Sequence, residues 1–208
     1  YIPAEEEVPA AVGEALAQPD TRLRLSLAEG ATSWTIAEGL KSIDLLDGEI
    51  AEVPAEGALA PDSYEFTKGT SRADLIEKMQ TKQADILATA WANRADELPL
   101  KGPQEALILA SLIEKETGVA AERQQVASVF VNRLNQGMKL QTDPAVIYGI
   151  TNGQGVLGRG LRRSELRAET PYNTYVIPSL TPTPIANPGR ASIEAALNPD
   201  TTPYIFFV

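Results

Sequence analysis

Glu114 and Glu116 close the run Ala106-Leu107-Ile108-Leu109-Ala110-Ser111-Leu112-Ile113-Glu114-Lys115-Glu116-Thr117-Gly118, where apolar and small residues give way to two carboxylates. A helix that is apolar on all sides belongs in a core, so a glutamate at its end meets desolvation that raises its pKa. A carboxyl group held protonated is what general-acid chemistry needs. Two positions apart on a helix, the pair diverges by about 200° and cannot line one pocket. Glu114 shares a face with Leu107, Ala110 and Ser111, Glu116 with Leu109, Leu112 and Ile113, and this leaves open which is catalytic. Composition alone also fits two solvated end-of-helix charges, but that reading does not explain anions near the negative end of the helix dipole.

Other chemistry-bearing groups cluster downstream. Leu140-Gln141-Thr142-Asp143-Pro144 places three hydrogen-bonding side chains in succession before a helix, a common place to orient a polar ligand; Asp143 could equally be a helix cap. Pro171-Tyr172-Asn173-Thr174-Tyr175 pairs two rings with amide and hydroxyl groups, as sugar clefts and plain packed loops both do. Asn132-Arg133 could reach a ligand, or Arg133 could pair with a glutamate and hold it in place. Lys115 and Lys139 show no sign of the desolvation a Schiff-base amine requires, and no phosphate-cradling glycine loop is present.

The 208 residues include no Cys and no His. That excludes Ser-His-Asp and Cys-His catalysis and the usual zinc sites, leaving proton transfer to Asp, Glu, Lys or Tyr. A net charge of −10 argues against nucleic acid or anionic lipid as the main ligand, since both demand a dense cationic face. No stretch approaches the roughly 20 apolar residues of a membrane-spanning helix. A first residue other than Met and an apolar end at Tyr204-Ile205-Phe206-Phe207-Val208 suggest a piece of a longer protein.

The elements that must position these groups follow from periodicity. Residues 1–19 lack a consistent period and read as a loosely attached leader. Thr21 to Leu27 alternates and predicts a half-buried strand; Ser33 predicts an N-cap for a short helix to Leu40. The Pro/Gly-punctuated stretch Val53–Thr70 reads as a boundary. Ser71 with Asp74 resembles a capping box opening a long helix to about Asn93. Pro103 starts the next helix and Gly118 is its expected C′ residue. Further helices are expected over Ala121–Gln136, from an Asp143 cap through Tyr148, and over Ala191–Leu197, with a turn at Ser164–Leu166. Glycines at 153, 155, 158 and 160 mark a mobile loop, and Tyr172–Gly189 reads as irregular. Tyr204–Val208 predicts a closing strand. The fold class is α+β: a small α/β subdomain over 20–68, then a mainly helical domain with short strands over 69–208.

Ala110 to Thr117, Val129-Phe130-Val131-Asn132-Arg133-Leu134, Leu140 to Gly149, Tyr172-Asn173-Thr174-Tyr175 and Pro184-Ile185-Ala186-Asn187-Pro188-Gly189 together resemble the YceG-like (MltG) endolytic murein transglycosylases. Glu56-Gly57 with Pro61-Asp62-Ser63-Tyr64 looks like the family's upstream element. The resemblance implies a lyase that cleaves nascent peptidoglycan between N-acetylmuramic acid and N-acetylglucosamine and leaves 1,6-anhydro-muramyl ends. Within the motif the catalytic glutamate is the one before Thr, here Glu116. The implied sugar-binding groups are Gln141, Thr142, Asp143, Tyr148, Tyr172, Asn173 and Tyr175, supported by Glu114, Asn132 and Arg133.

Neither metal nor cofactor is implied, and glycan strands and penicillin-binding synthases are the implied partners, with no nucleic acid. The resemblance also implies an N-terminal membrane helix, absent here, that holds the protein at the periplasmic face of the inner membrane. Of the family's LysM-like subdomain only residues 20 to about 50 could be part, and the chain stops soon after Tyr204, where family members continue. A second label attached to this family, aminodeoxychorismate lyase, would require pyridoxal phosphate, for which no lysine or phosphate cradle stands out. A non-catalytic glycan-binding scaffold is the alternative outside enzymes.

Overall fold

A computed structural model describes residues 21–206; the expected leader at 1–19 lies outside the described residues. The N-terminal part contains β1 (Leu23–Ser26), α1 (Ser33–Lys41), β2 (Leu46–Asp47), β3 (Ser63–Phe66) and β4 (Thr70–Ser71). Alternation in β1 turns Leu23 and Leu25 to one face, and the strand pairs antiparallel with β3, Leu23 opposite Phe66 and Leu25 opposite Tyr64. β2 and β4 form a second, parallel pair. The stretch Val53–Thr70 thus carries a strand and supplies core: Leu59, Ala60, Tyr64 and Phe66 are buried. Its glycines mark turns within the unit. At Gly57 φ is +82° and a Cβ would stand 2.7 Å from the Pro184 ring, so only glycine lets these two loops approach.

The cap of α1 lies one residue earlier than the sequence suggests. Thr32, in extended conformation, accepts the Thr35 N–H at 3.2 Å. Ser33 instead is buried and donates its hydroxyl to Ala55 O.

The long helix α2 (Arg72–Ala92) opens with Ser71 accepting the Ala73 N–H and joins two cores. Leu75 and Met79 pack with Ile36, Leu40, Leu46, Leu59, Tyr64 and Phe66. Two turns on, Ile86 and Ala90 pack in the larger cluster built around α3 (Pro103–Glu116), α4 (Arg123–Asn135), α5 (Asp143–Thr151) and α6 (Arg190–Leu197). Short 3₁₀ turns at Ala120–Glu122 and Glu165–Arg167 complete the described elements.

Every residue of α3 from Ala106 to Ile113 is buried, as its all-round apolar sequence requires. The helix ends without a left-handed glycine: Thr117 is extended at φ −135°, so the backbone leaves α3 abruptly and Gly118 does not close it. α4, by contrast, ends in a Schellman turn. Gly137 has φ +65°, Met138 N–H bonds Arg133 O at 2.8 Å, and Gly137 N–H bonds Leu134 O at 3.1 Å. α5 is capped from Thr142 with no side-chain hydrogen bond, so Asp143 and Pro144 both lie inside its first turn; the Asp143 carboxylate is thereby released from capping. Thr202 to Phe206 forms no strand among the described residues and lies extended along α4, while Phe207 and Val208 fall outside them.

Candidate active site

The abrupt end of α3 sends its two glutamates to different places. Glu114, with its side chain 6% exposed, accepts the Gly189 N–H at 2.9 Å and stands 3.7 Å from the Arg123 guanidinium. It fastens the 184–189 loop and the start of α4 to the end of α3.

Glu116 instead meets the 140–144 segment: Thr142 Oγ1 donates to its Oε2 at 2.8 Å. Burial pushes the Glu116 carboxyl above the ordinary carboxylate range; the Thr142 hydroxyl pulls it back, the Asp143 carboxylate raises it further, and the Arg133 guanidinium opposes. It opens onto a cavity of about 310 Å³ that Glu122, Val126, Val129, Tyr204 and Phe206 also line.

An unusual backbone turn delivers Thr142. Gln141 has φ +52°, a left-handed conformation that costs a non-glycine residue about 1–3 kcal/mol. Thr174 holds it there. Its carbonyl accepts the Gln141 N–H at 3.0 Å, and its hydroxyl accepts the Thr142 N–H and donates to the Thr142 carbonyl, each at 3.0 Å. The Gln141 side chain is exposed. Thr174 is fully buried and is a positioning residue the sequence reading passed over, because a threonine between Asn and Tyr carries no sign of its partner.

Asn173 is also fully buried; its amide donates to Glu165 O and Ala168 O and accepts the Tyr175 N–H at 3.1 Å. That saturates its side chain inside its own loop. The same loop turns Tyr175 outward to donate to Asp143 Oδ1 at 2.6 Å. Burial, followed by the Asp143 hydrogen bond and charge, pushes the Tyr175 hydroxyl up to about 12.

Arg133 is 5% exposed and reaches across the back of the site. Its guanidinium donates to Leu140 O at 2.6 Å and Ile205 O at 2.7 Å and lies 5.3 Å from the Phe206 ring centre. Asn132 bonds Thr202 O and Tyr204 O, both at 2.8 Å. The two side chains tie the extended C-terminal segment to α4, forming one wall of the Glu116 cavity.

Tyr148 and Tyr172 form a second aromatic group, their rings 5.1 Å apart and tilted by 54°. Tyr172 donates to or accepts from Thr183 Oγ1 at 2.8 Å, and Tyr148 donates to Glu56 Oε2 at 3.2 Å. Glu56 is thus a half-buried carboxyl from the N-terminal part whose desolvation raises its pKa, against hydrogen bonds from Ser33 and Tyr148. Asn187 completes that junction. It donates to Ala31 O, Ser33 Oγ and Glu56 Oε1 and accepts the Leu59 N–H at 2.8 Å. Only the pairing of Glu56 with Gly57 hinted at this role in sequence.

Glu116, Thr142, Asp143, Tyr175 and Arg133 therefore meet at one place, Tyr148 and Tyr172 at a neighbouring one, and Glu114, Asn132 and Asn173 work behind them. Glu122, whose carboxylate accepts the Thr117 hydroxyl at 3.0 Å, is a second acid lining the Glu116 cavity. Among the described residues no group of carboxylates is arranged to hold a metal ion, and no helix is long and apolar enough to cross a membrane.

Comparison with known proteins agrees with this arrangement of motifs. The model of the YceG-like family matches residues 2–208. The endolytic murein transglycosylase of Bacillus subtilis (strain 168) is 39% identical over 155 residues, covering 74% of this chain and 42% of that protein. The endolytic murein transglycosylase of Streptococcus pneumoniae serotype 2 (strain D39) is 31% identical over 175 residues, covering 81% of this chain and 30% of that protein. The chain therefore spans less than half the length of these relatives. A crystal structure of a YceG-like protein from Listeria monocytogenes matches with a TM-score of 0.70 at 30% identity, over 89% of this chain and 69% of that one. Together these matches establish that the chain belongs to the YceG-like family.

Proposed function

We propose that this chain carries the catalytic centre of an endolytic peptidoglycan lytic transglycosylase, with Glu116 as its single acid and base. The observation that carries the reading is Glu116 itself: a half-buried carboxyl with its pKa raised by desolvation, facing a cavity and held by one hydroxyl. Neutral Glu116 protonates the oxygen between N-acetylmuramic acid and N-acetylglucosamine. As that C–O bond breaks, positive charge develops at the muramyl C1. The Glu116 carboxylate then takes the proton of the muramyl C6 hydroxyl, whose oxygen bonds to C1 and closes the 1,6-anhydro ring. No water is consumed, so one carboxyl serves both steps.

The Asp143 carboxylate, held by Tyr175, stabilises the developing cation electrostatically. Thr142 orients the acid. Gln141, Tyr148 and Tyr172 offer the exposed or half-exposed groups that hold the strand, and Asn173 acts on the sugar only through Tyr175. In the longer protein, residues 20–68 form a small unit beside the catalytic unit at 69–208. An N-terminal helix outside this chain holds both at the periplasmic face of the inner membrane, near the penicillin-binding synthases that supply nascent strands.

Glu122 on the same cavity favours one competing reading, hydrolysis with paired carboxylates. Mass spectrometry of digested sacculi separates the two. Anhydro ends are expected from the wild type, on the order of 10³-fold fewer or less from Glu116→Gln, and a far smaller loss from Glu122→Gln. Reducing ends, or activity that survives Glu116→Gln and is lost in Glu114→Gln, would overturn the assignment.

A further inference from the structure

A second cavity, of about 330 Å³, adjoins the end of α3. Lys115, the neighbour of Glu116, lines it, as does Pro144, the neighbour of Asp143. Consecutive helical residues diverge by about 100°, so one helix end serves both cavities. The floor is apolar: Pro144, Ile147, Tyr148, Leu157 and Ile185, with Val156 at 92% exposure. No carboxylate among the described residues lines it. Glu165 is consumed by Arg159, with an Arg159 Nη2–Glu165 Oε1 distance of 2.5 Å; Glu56 sits behind the Tyr148 hydroxyl, and Glu114 is held by Gly189 and Arg123.

The charge here is opposite to that of the chain. Against a net charge of −10, residues 153–167 carry Arg159, Arg162, Arg163 and Arg167 with Glu165 as their sole acid. Arg162, Arg163 and Arg167 are exposed and make no ion pair among the described residues. Lys115 is exposed, with one long contact of 3.3 Å to Gly30 O. An apolar trough lined by the exposed Lys115 and by Arg159, whose loop carries the exposed Arg162 and Arg163 just beyond the lining, complements a ligand that is short, methyl-bearing and anionic.

Resting on the transglycosylase reading, we propose that this trough binds the carboxylate-bearing peptide stem of the muramyl residue whose bond is cut. The stem leaves the muramyl ring at C3, on the same sugar whose C1 faces the acid, so its pocket must adjoin Glu116 without containing it. Alanine methyl groups of the stem lie on Pro144, Ile147 and Tyr148, and its carboxylates meet Lys115 and the arginine loop. The enzyme then prefers strands that still carry stems, and salt weakens that preference as it screens exposed charges.

The test compares stem-bearing murein strands with strands stripped of stems by an amidase, scored as kcat/KM for anhydro-end release, with binding of the free stem tetrapeptide followed by NMR. The wild type is expected to favour stem-bearing strands by about tenfold, the worth of one charge-assisted contact. In Lys115→Met and in the double variant Arg162→Gln/Arg163→Gln that ratio falls toward one and tetrapeptide binding weakens. A ratio near one in the wild type with no tetrapeptide binding overturns the proposal. So does a preference that survives both variants, including the case where they instead lose binding to phosphatidylglycerol vesicles. If neither strand yields anhydro ends but tetrapeptide binding depends on Lys115, the stem site stands and the transglycosylase reading falls.

Discussion

Glu116 occupies a position that opposes its own ionisation, and this has consequences for stability as well as for catalysis. Its folded pKa lies above the ordinary 4.5. The stabilisation associated with that proton is therefore complete below the unfolded value and is lost as pH rises through the folded one. Glu116→Gln removes the charge that must otherwise be desolvated. The variant is expected to melt at a higher temperature than the wild type near neutral pH, and this gain should vanish below about pH 4. Equal melting at both pH values would mean that the carboxyl is not held in a desolvated site. Thr142→Val tests the same environment through catalysis. The hydroxyl favours the ionised form, so its loss should carry the alkaline limb of the kcat/KM profile to higher pH; a limb that stays or moves down contradicts the assigned hydrogen bond. At this scale sequence alone narrowed the acid to two glutamates and the family resemblance picked Glu116, but the divergence of their surroundings depends on Thr142 and Gly189, which sequence does not place beside them.

Helices were the legible elements because their signals are local. Pro103, the Ala106–Ile113 run and the Gly137 stop lie within the elements they define. The caps at Thr32 and Thr142 were each misread by one residue, since serine or aspartate next door carries the stronger cap preference while its side chain is drawn to a tertiary partner, Ala55 for Ser33 and Tyr175 for Asp143. The strand over Ser63–Phe66 was hidden among turn residues, because pairing with β1 and packing on α2 decide it. The C-terminal apolar stretch read as a strand, yet its backbone carbonyls go to side chains of α4. That attachment can be measured. Arg133→Met leaves the fully buried Leu140 carbonyl and the Ile205 carbonyl without their cationic donor, which should cost about 3 kcal/mol in urea denaturation. Asn132→Ala should cost about 1 kcal/mol. A smaller loss for Arg133→Met than for Asn132→Ala would show that the arginine does not anchor the wall.

Across the whole molecule, the two cores communicate through α2 and through a polar junction at Asn187, Glu56 and Gln83. Gln83 Nε2 bonds Gly57 O and Pro188 O, both at 3.1 Å. Asn187 is fully buried with its side-chain amide satisfied on both ends. Asn187→Ala orphans the buried Leu59 N–H and one partner of Glu56, and should lower stability by about 3 kcal/mol. An unchanged denaturation midpoint would mean that α2 alone holds the halves together. The junction also holds the Tyr148 hydroxyl through Glu56, so the N-terminal part positions one ring of the aromatic pair although none of its described residues lines the Glu116 cavity. The central claim, that Glu116 cuts glycan strands without water, concerns the whole molecule's product and is tested most directly by digesting sacculi in heavy-oxygen water. The account requires new muramyl ends that are 1,6-anhydro, carry no heavy oxygen and disappear with Glu116→Gln; reducing ends that carry the label would contradict it.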